Sequence, residues 1–199
     1  MKIKGKSILV FSPKFFNYEK EICNTLEKKG AKVSFFDERG NPDTFNKILI
    51  RKVRFFAIIF INKYYNNIIT NLKTEYDYVL FISPETITRK LFIKLKKKIK
   101  STYLLYMYDS MANKNARQII DLFDDAFSFD KDDCKKYNMS FLPLFSLNDY
   151  KILNCNSDYI YDFSFIGTIH SDRFTILNKI KNQLLKNNYS VFYYQFFPS

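Results

Sequence analysis

The chain has 199 residues, 47% hydrophobic and 19% aromatic, with 32 Lys and Arg against 20 Asp and Glu for a formal charge of +12. That apolar content excludes wholesale disorder and suits one large domain, or one domain with part of another. The longest strictly apolar run, Phe55 to Ile61, is too short to span a bilayer, and the charge points to an anionic partner.

In chain order, "MKIKGKSILVFSP" has a basic start and a short apolar run but no small-residue cleavage site, so Ser7 to Ser12 is predicted as a first strand ended by Pro13. Phe15, Tyr18, Ile22 and Leu26 have helical spacing, which predicts a helix to Lys29 closed by Gly30. "AKVSFFDE" follows as a second strand and "RGNPD" as a turn. From Asp43 to about Glu75, apolar residues from Phe45 to Leu72 step by three or four and trace one face of a long helix. "YDYVLFISP" is a buried third strand, followed by a helix through "ETITRKLFIKLKKKIK". "TYLLYMYDS" is a fourth, followed by a helix over "NKNARQIIDLF". Two short strands, "DAFSFD" and "SFLPLF", flank a helix at "KDDCKKY" capped by Asp130.

Strands alternating with helices predict an α/β fold, a Rossmann-like doubly wound parallel sheet over residues 1–146 with ligands at the carboxyl ends of its strands. Residues 147–160 are polar and weakly periodic, as in a linker. Residues 161–199 then hold "YDFSFIGT", a helix over "SDRFTILNKIKNQLLKNN", and "YSVFYYQF". One βαβ unit cannot bury both faces of its own sheet, so this reads as the start of a second Rossmann-like domain, truncated after Ser199.

Three strand ends meet at the first domain's rim: Ser12-Pro13, Ser83-Pro84-Glu85 and Asp109-Ser110. Asp109 or Glu85 is the candidate general base, with helix capping as the structural alternative. In "GTIHSDR", Gly167 lets backbone amides approach a diphosphate, and the next helix, capped by Ser171 or Asp172, directs its positive end there. Arg173 and His170, the only histidine, add donors. Asp172 would repel phosphate if it faced inward, so it is expected to cap the helix or pair with Arg173. No GxGxxG, Walker loop, HExxH or GxSxG occurs. Cys23, Cys134 and Cys155 lack metal-ligand spacing, which predicts reduced thiols, no metal site and a cytoplasmic setting.

The segments "LLYMYDS", "DDAFSFDKDDCKKYNMSFLPLF" and "YDFSFIGTIHSDR", between about Tyr76 and Arg173, resemble GT-B glycosyltransferases of bacterial polysaccharide assembly, in particular the CgeB-like (spore maturation protein-like) group. The resemblance implies a nucleotide-diphosphate sugar held by the C-terminal domain, with no metal or other cofactor. The sugar would pass to a hydroxyl of a glycan or lipid-linked acceptor lying against the N-terminal domain. It implies that Gly167, Thr168, His170 and Arg173 take the donor phosphates. Ser12, Pro13, Ser83 and Ser110 would line the acceptor side. The acidic residues that grip the donor's ribose and sugar would lie beyond Ser199, so weak or no donor binding is expected of this chain alone.

The cations cluster at Lys2, Lys4 and Lys6, at Arg51, Lys52 and Arg54, and from Lys90 to Lys100. An anionic inner membrane leaflet would suit them, with Phe55 and Ile58 of the long helix inserted; a core helix with a wet basic edge is the alternative. A nucleic-acid-binding or non-catalytic interaction module is the rival functional reading. The aromatics, however, fall at core spacing, and no RRM, KH or helix-turn-helix signature appears, so no nucleic-acid partner is expected.

Overall fold

A computed structural model describes residues 3–40, 54–112, 115–146, 159–169 and 172–196. The chain divides into two compact units, Met1–Tyr150 and Lys151–Ser199.

In the first unit, β1 (Ser7–Ser12), β2 (Lys32–Asp37), β3 (Tyr78–Ile82), β4 (Thr102–Met107), β5 (Asp125–Ser128) and β6 (Ser140–Phe141) form one sheet in the order β2-β1-β3-β4-β5-β6. Every neighbouring pair is parallel, and helices cover the sheet, so the unit is a Rossmann-like α/β fold. Alternation along the strands sends side chains to opposite faces. Leu9, Phe11, Val79, Phe81 and Leu105 point to one face, where they bury against α2 (Arg54–Asn71) and α3 (Arg89–Lys98). Ile8, Val10, Ile82 and Tyr106 point to the other, near Ile22 and Leu26 of α1 (Tyr18–Lys28).

Aromatic rings dominate the first face. The Phe11 ring stacks 4.7 Å from Phe81 and 5.9 Å from Tyr65, and Phe81 meets Phe92 at 5.3 Å. Phe92 in turn lies 4.8 Å from Phe123. Offset and edge contacts of this kind add about 0.5–1.5 kcal/mol per pair beyond area burial. At the opposite end of the sheet, the Asp77 carboxylate accepts from Lys6 Nζ at 2.7 Å and from the Ser7 amide at 2.8 Å, which pins β1 against β3.

Several boundaries differ from the sequence expectation. The helix expected from Glu85 begins only at Arg89, under Thr88 as N-cap, because a side chain from the end of β2 takes the preceding amides, as described below. The expected helix over "NKNARQIIDLF" is two 3₁₀ turns, Asn115–Gln118 and Ile120–Leu122; the β-branched pair Ile119-Ile120 sits at the break and disfavours an α-helix. The last strand of the first unit stops at Phe141 rather than running through "SFLPLF", since Pro143 has no amide to continue the ladder. Helix α4 (Lys131–Tyr137) is capped by Asp130, whose Oδ1 accepts from the amides of Asp132 and Asp133. Residues 43–53 of the long helical pattern, residues 147–158 of the linker, Lys2 and Cys155 lie outside the described residues, as do the side chains of Arg54 and Phe55. Cys23 and Cys134 are free thiols, and burial raises the Cys23 thiol to about 11.

The second unit pairs β7 (Phe163–Thr168) with β8 (Val191–Phe196) in parallel and packs α5 (Arg173–Lys186) on one face. Tyr193 lies 5.7 Å from Phe163 and donates to the Leu177 carbonyl at 3.0 Å. The Asp162 carboxylate accepts from the amide and hydroxyl of Ser190, joining the two strand entries. Ile166 and Tyr194, on the other face, are 68% and 58% exposed.

Phe81→Ala removes a fully buried ring from the aromatic stack. It is expected to lower the unfolding free energy by about 3–5 kcal/mol in urea titrations.

Candidate functional site

In the first unit the chain runs from β1 to β2 on one side, then returns past β1 to place β3. That reversal makes a switch point at the carboxyl ends of β1 and β3, where open α/β sheets open a crevice. Its floor is built from predicted rim residues. Ser12, Pro13 and Ser83 are all buried. Ser12 donates to the Pro13 carbonyl at 3.1 Å. Ser83, at φ 41°, accepts from the Tyr108 amide at 2.9 Å. These hydroxyls shape the rim and are committed to backbone.

Glu38, one residue past β2, is fully buried. Its Oε1 accepts from the Thr86 amide at 2.5 Å and the Ile87 amide at 2.9 Å, with the Thr86 hydroxyl at 2.9 Å. The Tyr65 hydroxyl lies 3.3 Å from the Glu38 carbonyl. Oε2 has no partner among the described residues. Burial pushes the Glu38 carboxyl above its ordinary range, and the amide donors only partly oppose this.

The next residue, Arg39, reaches across the switch point. Its Nε donates to Glu85 Oε2 at 2.9 Å and its Nη2 to Glu85 Oε1 at 2.6 Å. The pair is partly open to solvent, at 39% and 26% side-chain exposure. Glu85 is therefore not a free general base: both of its oxygens are held in a guanidinium fork. Tyr108, just past β4, completes the cluster; burial first, then the Asp109 charge, pushes its phenol above the ordinary range. Asp109 is partly buried beside it at the β4 exit. Ser110 donates to Asp133 Oδ2 at 3.1 Å, an oxygen that also accepts from the Met111 amide at 2.7 Å. The arrangement is suited to orienting a hydroxyl-bearing or anionic ligand through Arg39 and Tyr108.

Glu38, Arg39 and Tyr108 were not among the sequence candidates. The usable signal was the position of "DERG" at the end of a strand in a parallel sheet, where every carboxyl end shares the rim.

In the second unit, Gly167 is not a turn residue. It lies within β7, paired with Gln195, and a Cβ there would come within 2.8 Å of Phe165 Cζ. The glycine makes room for the Phe165 ring. Thr168 ends the strand, and its carbonyl accepts from Arg173 Nη1 at 3.2 Å. The guanidinium is thereby held over the carboxyl end of β7 from the first position of α5. Asp172 occupies the N-cap position without a side-chain cap bond, and no ion pair joins it to Arg173 among the described residues. His170 and Ser171 lie outside the described residues.

Among the described residues, no group of three His, Cys, Asp or Glu side chains is placed to hold a metal ion. A 530 Å³ cavity lined by Lys97, Lys100, Tyr103 and Asp124 lies at the entry to β4, the amino-terminal edge of the sheet and the wrong end for switch-point chemistry. No protein-family model matches the chain, and neither a curated protein nor a solved structure matches it.

Two outcomes follow from this geometry. Glu38 titrates higher folded than unfolded, so its contribution to stability is fully present at pH values below the unfolded carboxyl's range and is lost as pH rises through the folded value. Urea melts between pH 4 and pH 7 are expected to show wild type losing stability relative to Glu38→Gln across that interval. Gly167→Ala is expected to cost about 1 kcal/mol, and Phe165→Leu in the same chain to restore most of it, both read from thermal melts.

Proposed function

We propose that the chain is part of a glycosyltransferase of the GT-B type that moves a sugar from a nucleotide-diphosphate donor to a hydroxyl of a glycan or lipid-linked acceptor. The reading takes the second unit as the opening βαβ of a donor-binding Rossmann-like domain. The open apolar face at Ile166 and Tyr194 supports that, since such a face calls for further covering elements. The observation that carries the proposal is the anchoring of Arg173. Its guanidinium is tied by one nitrogen to the last carbonyl of β7, beside the amino end of a 14-residue helix. A fork held at a strand's carboxyl end and a helix's positive end both favour a diphosphate there. They would offset charge on the departing nucleotide without Lewis-acid help.

On the acceptor side, Arg39 and Tyr108 orient the incoming hydroxyl and Asp109 takes its proton as the new C–O bond forms. Glu85 serves by holding Arg39, rather than as the base. Thr168 contributes the carbonyl that aims Arg173, and Gly167 contributes only packing.

Amide chemical shifts followed during titration with UDP, GDP and dTDP test the donor assignment and detect weak binding. At least one nucleotide is expected to shift Thr168, Ile169 and the first turn of α5. Arg173→Lys should weaken that binding about tenfold and Arg173→Ala abolish it. Unmoved signals at these positions with all three nucleotides would sink the proposal.

A further inference from the structure

Beyond the sugar-transfer reading, and without depending on it, the layer formed by α2 and α3 has a charge distribution that calls for a partner. Residues 54–74 and 89–100 contain no Asp or Glu. Helix α3 alone, "RKLFIKLKKK", places six cations in ten residues. Part of that charge is tied down: Arg89 is paired with Asp121, and Lys96 donates to the Leu122 carbonyl at 2.6 Å. Lys98 turns inward to the carbonyls of Ile69 and Thr70. The side turned away from the sheet keeps Lys63, Lys90, Lys94 and Lys97 exposed. Of these only Lys94 has a bond to a described residue, and its acceptor, Asn66 Oδ1, is uncharged.

The two helices lie side by side in register. Lys94 meets Asn66 and Lys98 meets Thr70, both across 28 residues of sequence, so Ile59 sits about one turn beyond the level of Lys90. Ile58 and Ile59 are 51% and 49% exposed, and Ile93 is 38% exposed between Lys90 and Lys97. The described rings of these helices, including Tyr64, Tyr65 and Phe92, pack in the core. The outer surface thus offers lysines with aliphatic side chains between them and no described ring on which a base would stack.

We propose that this outer surface of the α2–α3 layer docks on an anionic lipid bilayer. The lysines meet the headgroups while Ile58, Ile59 and Ile93 enter the boundary beneath them, with both helices lying parallel to the membrane plane. Among the described residues no helix is long and apolar enough to cross a membrane, and the docking needs none.

Co-sedimentation of the whole chain with extruded vesicles tests this. Vesicles of phosphatidylcholine with about one third phosphatidylglycerol are expected to bind it at low salt, about tenfold less at high salt, and pure phosphatidylcholine hardly at all. Lys90→Glu, Lys94→Glu and Lys97→Glu together should weaken partitioning by at least about 50-fold. Ile59→Ser with Ile93→Ser should weaken it about fivefold at every salt concentration. If circular dichroism shows the Glu variant unfolded, the corresponding triple Gln variant decides, with a loss of at least about tenfold expected. Equal binding to neutral vesicles overturns the proposal, as does absence of binding at low salt or indifference to the lysine substitutions. Tighter binding to a random-sequence duplex, measured by anisotropy at the same salt, overturns it in favour of nucleic acid.

Discussion

The upper rim of the sheet is organised around the fully buried carboxyl group of Glu38. Glu38 gives one oxygen to the amides of Thr86 and Ile87. Taking a carboxyl group out of water costs several kcal/mol unless it is well hydrogen-bonded, so those amides are not free to open a helix at Glu85. The helix starts at Arg89 instead, and that start fixes its rotation. Leu91, Phe92, Leu95 and Ile99 then bury on the sheet while Lys94 and Lys97 between them face out. The backbone turn that carries Glu38 inward also carries Arg39 outward to Glu85, across the switch point. One buried acid thus sets the register of α3 and the direction of the arginine at the candidate site.

Charge is handled differently in two parts of the first unit. At the carboxyl rim the cation and anion are matched in a half-open fork, an arrangement that can exchange Glu85 for a ligand's anionic group at modest desolvation cost. Along α2 and α3, among the described residues, only Arg89 and Lys96 form ion pairs, with Asp121 and Asp124. On the readings proposed above, ligand chemistry and surface attachment would fall to different parts of the same fold, the first to strand ends and the second to the outer side of the helical layer.

The gap between expectation and structure is instructive at individual residues. Asp130 was readable as a cap because an N-cap is a local event, decided within three residues by side-chain and amide spacing. Glu85 was readable as a rim residue but not as half of an ion pair, because its partner is 46 residues away. Gly167 looked like a phosphate turn from its neighbours "GTIH", whereas the packing of Phe165 two residues earlier accounts for it. Tyr108 carried no signal of its own and Glu38 only its place at the end of a strand; the convergence of β2, β3 and β4 gives both their significance.

From its amino acids alone, the chain determined which segments become strands, which faces of them are apolar, and that successive strands must run parallel with helices between. Those properties follow from periodicity and short-range turn chemistry, which act over a few residues. Tertiary structure alone decided that β1 lies between β2 and β3, that Glu38 is sealed beneath Thr86 and Ile87, and that Arg39 meets Glu85. Each of these depends on contacts between residues far apart in sequence, whose free energies arise only after the strands have found their order and excluded water between them.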